Sequence, residues 1–252
     1  MIRVALCGAR GRMGRRLAEL VSDSDDLSLS AILERPEHPE LGGEFHGLRL
    51  GSDLAGALDK SDCLLDFSLP DGIEKRVAAC AEAGVSFVSG ITGLSDERQR
   101  ALDRAAEKIA VVWAPNMSRG VYVLGRLVEL AAGLLSDYHA EIFEIHHAGK
   151  ADSPSGTAYA LAEAIAARRE GAETVYGRQS KRQPGEIGIS AARGGDVVGE
   201  HQVMFLAAGE QVILTHRATS RDHFCRGALD AVRFAAKAKA GRYTMKDVFG
   251  GE

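Results

Sequence analysis

Ile2-Arg3-Val4-Ala5-Leu6-Cys7-Gly8-Ala9-Arg10-Gly11-Arg12-Met13-Gly14, near the start of this 252-residue chain, joins three patterns. Apolar and β-branched residues over 2–7 predict a strand, and apolar positions at helical spacing predict a helix over 12–22. The turn between them reads G-x-x-G-x-x-G. Such glycines let the backbone approach a pyrophosphate at the positive N-terminus of a helix. The pattern favours a dinucleotide site, although glycines are also common at strand–helix turns that bind nothing.

An acidic residue follows the second predicted strand, 28–33. Glu34 lies 20 residues after Gly14, a spacing typical of a carboxylate that binds ribose hydroxyls. Arg35 stands next to it and is suited to a 2′-phosphate, which Glu34 alone would repel. NADH and NADPH both stay open as cofactors, and the alternative for this pair is an ordinary solvated loop.

The rest of the chain shows two patterns of predicted secondary structure, and the change between them falls near Pro115. Before it, short apolar runs alternate with amphipathic helical patterns, which predicts a Rossmann-like, doubly wound parallel sheet in an α/β domain over 1–117. After it, strands follow one another with little helix between them, which predicts a second α+β domain with a mixed sheet over 118–216. The predicted strands are 63–67, 85–88, 109–113, 141–146, 187–193, 197–206 and 211–216, and the helices 72–83, 95–108, 121–135, 156–169 and 221–239. Residues 170–186 are polar and are expected to form a flexible loop.

The ends of parallel strands identify further candidates for ligand contacts, because ligands of open α/β sheets bind beyond the carboxyl ends of the strands. In this chain those ends are 66–68, 90–93 and 114–117, and we expect them to border a nicotinamide. Simple loop chemistry is the alternative, and for Asp66 the two interpretations are equally weighted.

A second motif, 144–158, combines titratable and cationic groups: E-I-H-H-A-G-K-A-D-S-P-S-G-T-A. A strand delivers His146 and His147 to its end, the following loop carries Lys150, and a helix begins near Gly156 and Thr157. The N–H groups of that first turn and the lysine are suited to a carboxylate, and histidine can act as general acid or base. Metal binding, a structural histidine pair and serine nucleophiles compete with this interpretation. No metal site is expected, because the motif lacks a further ligand at helical spacing, and N-capping explains at least one of the serines.

Composition excludes several classes of protein. The chain has 31 Lys+Arg against 35 Asp+Glu, a net charge of −4, which argues against a nucleic-acid partner. No apolar run approaches the ~18 residues of a membrane span, so no membrane partner is expected. The four cysteines lie scattered in apolar stretches, which favours buried thiols. We expect a cytoplasmic protein, since the early Gly8 interrupts any signal-peptide core.

Together these residues resemble the dihydrodipicolinate reductase family over essentially the whole chain. The turn Gly8–Gly14 matches the family's G-x-x-G-x-M-G pattern, and 144–158 matches its E-x-H-H-x-x-K-x-D-x-P-S-G-T-A signature. Further similarity lies at 31–35, 66–68, 90–93 and 195–201. The resemblance implies NADH- or NADPH-dependent reduction of 4-hydroxy-tetrahydrodipicolinate, a small dicarboxylate, on the route to diaminopimelate and lysine. It also implies a homotetramer built through the second domain's sheet, and a segment 217–252 that returns to complete the nucleotide domain.

The resemblance also implies residue roles. His146 would exchange the proton, Lys150 would be a second proton donor, and His147, Gly156 and Thr157 would hold the substrate. The dinucleotide would be held or bordered by Gly8, Ala9, Arg10, Gly11, Arg12, Met13, Glu34, Arg35, Gly90, Ile91, Thr92, Ala114, Pro115, Asn116 and Met117.

Two positions depart from the family pattern. Ile91 stands where a threonine is expected in G-T-T-G, which bears on the nicotinamide contacts, and Ser153 replaces an alanine at a turn. Two other functions fit the first half of the chain: another dehydrogenase of amino-acid metabolism, such as an aspartate or homoserine dehydrogenase, or a non-catalytic NAD(H) sensor. Neither accounts for the H-H-x-x-K motif followed by P-S-G-T.

Overall fold

The computed structural model describes residues 1–250, which fold into two compact units. The first unit combines Met1–Arg119 with the segment that runs from Asp222 to the end of the described chain, and the second unit is Gly120–Arg221. In chain order the elements are β1 (Ile2–Cys7), α1 (Arg12–Ser22), β2 (Leu27–Leu33), β3 (Glu44–Phe45), β4 (Leu48–Gly51), α2 (Leu54–Leu58), β5 (Cys63–Asp66), α3 (Ile73–Ala83), β6 (Ser86–Ser89), α4 (Asp96–Ala106), β7 (Ala110–Trp113), α5 (Arg119–Leu134), β8 (His139–His146), α6 (Gly156–Ala166), β9 (Glu173–Tyr176), β10 (Glu186–Arg193), β11 (Gly199–Ala207), β12 (Glu210–Ala218), α7 (Asp222–Ala235), β13 (Gly241–Tyr243) and α8 (Met245–Phe249).

The first unit is built on an eight-stranded sheet with the order β13-β7-β6-β5-β1-β2-β4-β3. Its neighbouring strands run parallel, apart from the antiparallel pair β3–β4. Strand β13 belongs to the last segment of the chain and pairs with β7. The predicted doubly wound parallel sheet is confirmed.

Side chains of the parallel strands alternate between two apolar cores, one on each face of the sheet. On β1, Val4 and Leu6 join the core that includes α1 and α7, whereas Ala5 and Cys7 join the core that includes α3 and α4. Because both faces are covered, a parallel strand is apolar along its whole length. This is why residues 2–7 show a continuous apolar run in the sequence.

The second unit contains a five-stranded mixed sheet with the order β12-β11-β8-β10-β9. Strands β8, β9 and β10 are parallel to one another, and β11 is antiparallel to both β8 and β12. One face packs on α5 and α6, where Ile142 and Phe205 meet Val128 and Ile165 in a single core. Alternate residues of β8 are buried and accessible, as expected for a sheet covered on one side. The predicted second domain with a mixed sheet is confirmed.

Several local predictions need correction. The expected loop 170–186 contains β9, which was missed because Glu173-Thr174-Val175-Tyr176 is short and lies at the sheet edge, paired only with β10. Residues 44–58, to which no element was assigned, contain β3, β4 and α2.

The prediction of buried, free thiols is confirmed at all four cysteines: Cys7, Cys63, Cys80 and Cys225. Within residues 1–250, no helix has the length and apolar character needed to span a membrane.

Two helical glycines allow a matched test of this packing. A Cβ at Gly227 in α7 would lie 1.7 Å from the Met117 carbonyl oxygen, whereas a Cβ at Gly125 in α5 would meet no heavy atom within 4 Å. We expect Gly227→Ala to destabilise the protein by about 2 kcal/mol or more through overpacking. Gly125→Ala should stabilise it by up to about 1 kcal/mol through helix propensity. Calorimetric melting of both variants checks this, and equal effects would contradict the packing described.

Candidate active site

The glycine-rich turn leaves no room for side chains. Gly8 has φ +79°, and a Cβ there would lie 2.8 Å from the backbone of Phe67 and Ser68. A Cβ at Gly14 would lie 2.0 Å from the Gly8 carbonyl oxygen. Helix α1 begins after Gly11, which offers no side-chain cap to its first N–H groups. The turn therefore fits the pyrophosphate of a dinucleotide, since backbone N–H groups and a helix N-terminus are presented without side-chain obstruction.

A cleft of about 840 Å³ opens beside this turn, at the carboxyl ends of β1, β2 and β5. It is lined by five of the predicted nucleotide residues, Gly8, Arg10, Gly11, Glu34 and Arg35. The Glu34 carboxylate accepts the Arg10 backbone N–H at 2.8 Å, so it also holds the turn in place. The Arg10 guanidinium bonds to Glu40 and lies 4.7 Å from the centre of the Phe45 ring.

The other predicted turn residues have different surroundings. Ala9 is fully buried in the core, and Met13 packs against that core. Arg12 is exposed at the start of α1. The side chains of Ala9 and Met13 are therefore core side chains, which leaves their backbone for any nucleotide contact.

The strand-end residue Asp66 has a structural role. Its carboxylate is fully buried, accepts hydrogen bonds from the Ser68 N–H and hydroxyl, and bonds to Arg76 at 2.6 Å. Arg76 in turn donates to the carbonyls of Leu69 and Asp71. This network fixes the loop that forms one wall of the cleft.

The loops after β6 and β7 lie at the same carboxyl edge of the sheet, but outside the described lining of the cleft. Gly90 packs against Phe67, because a Cβ there would lie 2.4 Å from its ring. The Ile91 side chain is buried in the core and its carbonyl accepts from the Trp113 indole. The departure from the family threonine at Ile91 therefore changes core packing. The remaining predicted residues of these loops differ in exposure: Ala114 and Met117 are buried, whereas Thr92 and Pro115 are exposed. Asn116 is half-buried, and its side chain accepts a hydrogen bond from the Ser118 N–H.

In the second unit, β8 places Glu144 and His146 on the same face, because residues two apart on a strand share a face. Glu144 is fully buried and His146 nearly so. The Glu144 Oε2 lies 2.7 Å from His146 Nδ1, and its Oε1 accepts the Ser155 backbone N–H and the Arg193 Nη2, each at 3.0 Å. Ser155 is the N-cap of α6, and Arg193 is the register partner of His146 on β10. The predicted N-capping serine is confirmed.

A second buried histidine completes this cluster. His201 on β11 is the register partner of Glu144. Its Nε2 lies 3.7 Å from Glu144 Oε2 and 3.2 Å from the Ser155 hydroxyl, and its ring meets that of His146 edge-on at 5.1 Å. The carboxylate cluster consists of five residues: Glu144, His146, Ser155, Arg193 and His201.

Burial and charge act in opposite directions on Glu144. Its burial tends to raise the pKa, but hydrogen bonds from His146, Ser155 and Arg193 outweigh that effect and lower the pKa to about 2. For His201, burial is the largest cause and the charge of His146 adds to it, so that its pKa falls to about 4 despite the opposing charge of Glu144. At neutral pH the cluster therefore contains an ionised Glu144 and an uncharged His201.

Glu144, His146 and His201 also carry potential metal-ligand atoms within 4.8 Å of one another. Two ligands of one tetrahedral zinc ion would stand roughly 3.4 Å apart. The 2.7 Å between Glu144 and His146 is instead a hydrogen-bond distance, and the Arg193 cation already occupies the other carboxylate oxygen. The short Glu144–His146 separation and the Arg193 cation therefore argue against a zinc ion at this position.

The predicted substrate residues lie on the loop and helix that follow His146. The Lys150 ammonium bonds to both carboxylate oxygens of Asp152, at 2.7 and 2.9 Å. Gly156 is exposed at the start of α6, with no heavy atom within 4 Å of a Cβ there. His147 and Thr157 are half-buried.

Glu144, Arg193 and His201 received no role from the sequence. The period of two on a strand could have paired Glu144 with His146. Arg193 and His201 come from other strands, and their positions depend on the registers of β10 and β11 against β8. Only a strand alignment could have supplied those registers.

The first unit has a Rossmann-type fold, with a cleft at the carboxyl edge of its parallel sheet, where units of this class bind dinucleotides. A family model for the dihydrodipicolinate reductase N-terminus matches residues 2–117, and one for the dihydrodipicolinate reductase C-terminus matches residues 120–249. The chain belongs to the dihydrodipicolinate reductase family and is an NAD(P)H-dependent enzyme, so the resemblance found in the sequence is confirmed.

Individual relatives agree with this assignment. A 4-hydroxy-tetrahydrodipicolinate reductase of Nitrosomonas eutropha is 43% identical over 265 residues, covering 99% of this chain and 98% of its own. The enzyme of that name from Anaeromyxobacter sp. is 45% identical over 263 residues, with the same coverage. The dipicolinate-bound dihydrodipicolinate reductase from Paenisporosarcina sp. TG-14 superposes with a TM-score of 0.83 at 25% identity, covering 98% of both chains.

The low pKa of His201 predicts a pH-dependent stability. In the unfolded chain this histidine takes up a proton below about pH 6.5, whereas in the folded protein it stays neutral down to about pH 4. Stability should therefore fall as the pH drops from 6.5 to 4. We expect His201→Gln to flatten that part of the curve of Tm against pH. The exposed His139 provides the control, since His139→Gln should leave the slope unchanged; a parent-like slope in His201→Gln would contradict the burial argument.

Proposed function

We propose that this chain reduces 4-hydroxy-tetrahydrodipicolinate to tetrahydrodipicolinate with NADH or NADPH, on the route to diaminopimelate and lysine. The observation that carries the proposal is the end of β8. There the buried Glu144 carboxylate lies 2.7 Å from His146 Nδ1, and the loop between β8 and α6 carries Lys150, which bonds to Asp152. Relatives with 40–45% identity bear the name of this reductase.

Four residues are proposed to bind the substrate carboxylates: Lys150, His147, Gly156 and Thr157. Lys150 already binds a carboxylate, that of Asp152, through both oxygens, and a substrate carboxylate offers the same pair of acceptors. The open space above Gly156 leaves the first turn of α6 accessible to an anion. The solved relative from Paenisporosarcina was described with dipicolinate, a small dicarboxylate, bound.

His146 and Lys150 are proposed to supply protons. When bound, NAD(P)H supplies the hydride, and the net reaction takes up that hydride and one proton and releases the 4-hydroxyl as water. The carbon skeleton becomes electron-rich when it accepts a hydride, so a nearby acid must protonate it. Glu144 Oε2 lies 2.7 Å from His146 Nδ1, and His146 is proposed as the first acid, with Lys150 as the second donor.

The nucleotide is proposed to lie along the turn Gly8–Met13, with Glu34 on the ribose hydroxyls and Arg35 available for a 2′-phosphate. The fit of the turn supports this, because its glycines leave the backbone uncovered beside a cleft of about 840 Å³. Backbone of 90–92 and 114–117 is proposed to border the nicotinamide.

A homotetramer is proposed, with the open face of the second unit's sheet as the contact. Phe143 on β8 and Ile213 on β12 lie on this face with 38% and 46% of their surface exposed. Apolar side chains on an uncovered sheet face are typical of an interface. We propose a cytoplasmic location, which the four unpaired thiols support because such thiols persist in reducing compartments.

Substitution of the proposed acids tests the reaction. His146→Ala should lower kcat by ~10²-fold or more with little change in nucleotide affinity, because only the proton transfer is removed. Lys150→Ala should lower kcat and also raise the KM for substrate. The assay follows NADH and NADPH oxidation with the product of dihydrodipicolinate synthase as substrate. No oxidation of either nucleotide by the parent protein would refute the proposed function, and parent-like turnover of His146→Ala would refute the role of His146.

The choice of nucleotide can be tested at Arg35. We expect Arg35→Ala to raise the KM for NADPH by ~10-fold and the KM for NADH by less than ~3-fold, since only NADPH carries the 2′-phosphate. Arg100→Ala is the control, because Arg100 is exposed on α4 and away from the cleft. Equal effects of Arg35→Ala on both nucleotides would show that Arg35 does not recognise the phosphate.

A further inference from the structure

Glu144 is a fully buried charge. A buried ionic cluster is expensive to desolvate, and apolar residues of similar size often stabilise a protein equally well. Yet the carboxylate cluster draws partners to Glu144 from β8, β10, β11 and the start of α6. So many compensating groups around one carboxylate point to a role in chemistry.

The two carboxylate oxygens of Glu144 contact different partners. Oε1 accepts from the Ser155 N–H and from Arg193, both at 3.0 Å, and these two bonds anchor the carboxylate. Oε2 faces the His146 Nδ1 at 2.7 Å, with His201 Nε2 farther away at 3.7 Å. A proton on Nδ1 would be only this short distance from the anchored carboxylate, which favours Nδ1 as the ring nitrogen that carries a proton.

The other nitrogen of the ring lies beside a glycine. A Cβ at Gly199 would come within 2.9 Å of His146 Nε2. The Gly199 backbone therefore packs close to the Nε2 side of the ring, and a side chain at this position would displace the ring.

We propose that Glu144 is the positioning residue of this enzyme: it holds the Nδ1 proton of His146 and stabilises the imidazolium, so that Nε2 is the atom that delivers the proton. This inference rests on the proposed function, in which His146 is the acid. Glu144 acts through His146, since its own oxygens are directed at protein partners.

The charges around His146 favour this assignment. Arg193 faces the cluster from β10, His201 from β11, and Lys150 from the loop after β8; His216 on β12 acts on His201. Because His201 is uncharged at neutral pH, Glu144 shares its charge with His146 and Arg193 alone within the cluster. Glu144 is thus the negative group that offsets the positive charge on His146.

Glu144→Gln tests the inference, since it keeps the shape of the side chain and removes its charge. We expect kcat to fall by ~10- to 10²-fold, while the KM values for substrate and nucleotide stay within ~3-fold. Glu163→Gln, an equal change of charge at an exposed position of α6, should leave both quantities at parent values.

Glu144→Asp provides a second variant if the glutamine protein does not fold. It keeps the charge but withdraws the oxygen from Nδ1, so kcat should fall by ~10-fold with the KM values near those of the parent. A parent-like kcat in either variant, or a rise in substrate KM with kcat unchanged, would overturn the positioning role. If the Glu144 variants contradict the positioning role but His146→Ala is inactive, the proposed function still stands. If His146→Ala is active, both the positioning role and the proposed role of His146 as the acid are overturned.

Discussion

The buried carboxylate of Glu144 constrains the rest of the second unit. A charge with no access to water must be met by hydrogen-bond donors at both oxygens, or folding would be strongly penalised. Its hydrogen-bond donors are Arg193 on β10 and the Ser155 N–H at the cap of α6, while His201 on β11 lies 3.7 Å away. The registers of β10 and β11 and the start of α6 are therefore tied to one side chain, and the ring of His146 is fixed as a consequence.

The first unit follows a simpler constraint, which is the close approach of backbone to backbone at the glycine-rich turn. Gly8 lies against the end of β5, and Gly14 lies against Gly8. Glu34 closes the turn by accepting the Arg10 N–H. The proposed nucleotide site is formed by main-chain groups, whereas the proposed proton-delivery site in the second unit is formed by side chains.

Much of this could be predicted from the sequence, because the relevant signals are local. The apolar run of β1, the helical spacing of α1 and an N-capping serine before α6 depend on neighbours within a few positions, and each was predicted. Signals that depend on pairing across the chain were not available. His201 meets Glu144 only through the register of β11 against β8, and β9 is recognisable only beside β10. The buried side chain of Ile91 shows the same limit, since a strand-end loop was expected to face the ligand and this side chain belongs to the core.

The most direct measurement is nitrogen NMR of the protein labelled with ring-15N histidine, with the His146 signal identified by its loss in the His146→Gln variant. If Glu144 holds the Nδ1 proton, the neutral ring of His146 should carry its hydrogen on Nδ1 and show Nε2 as the unprotonated nitrogen. A neutral His146 protonated on Nε2, with a bare Nδ1 facing Glu144, would contradict the account.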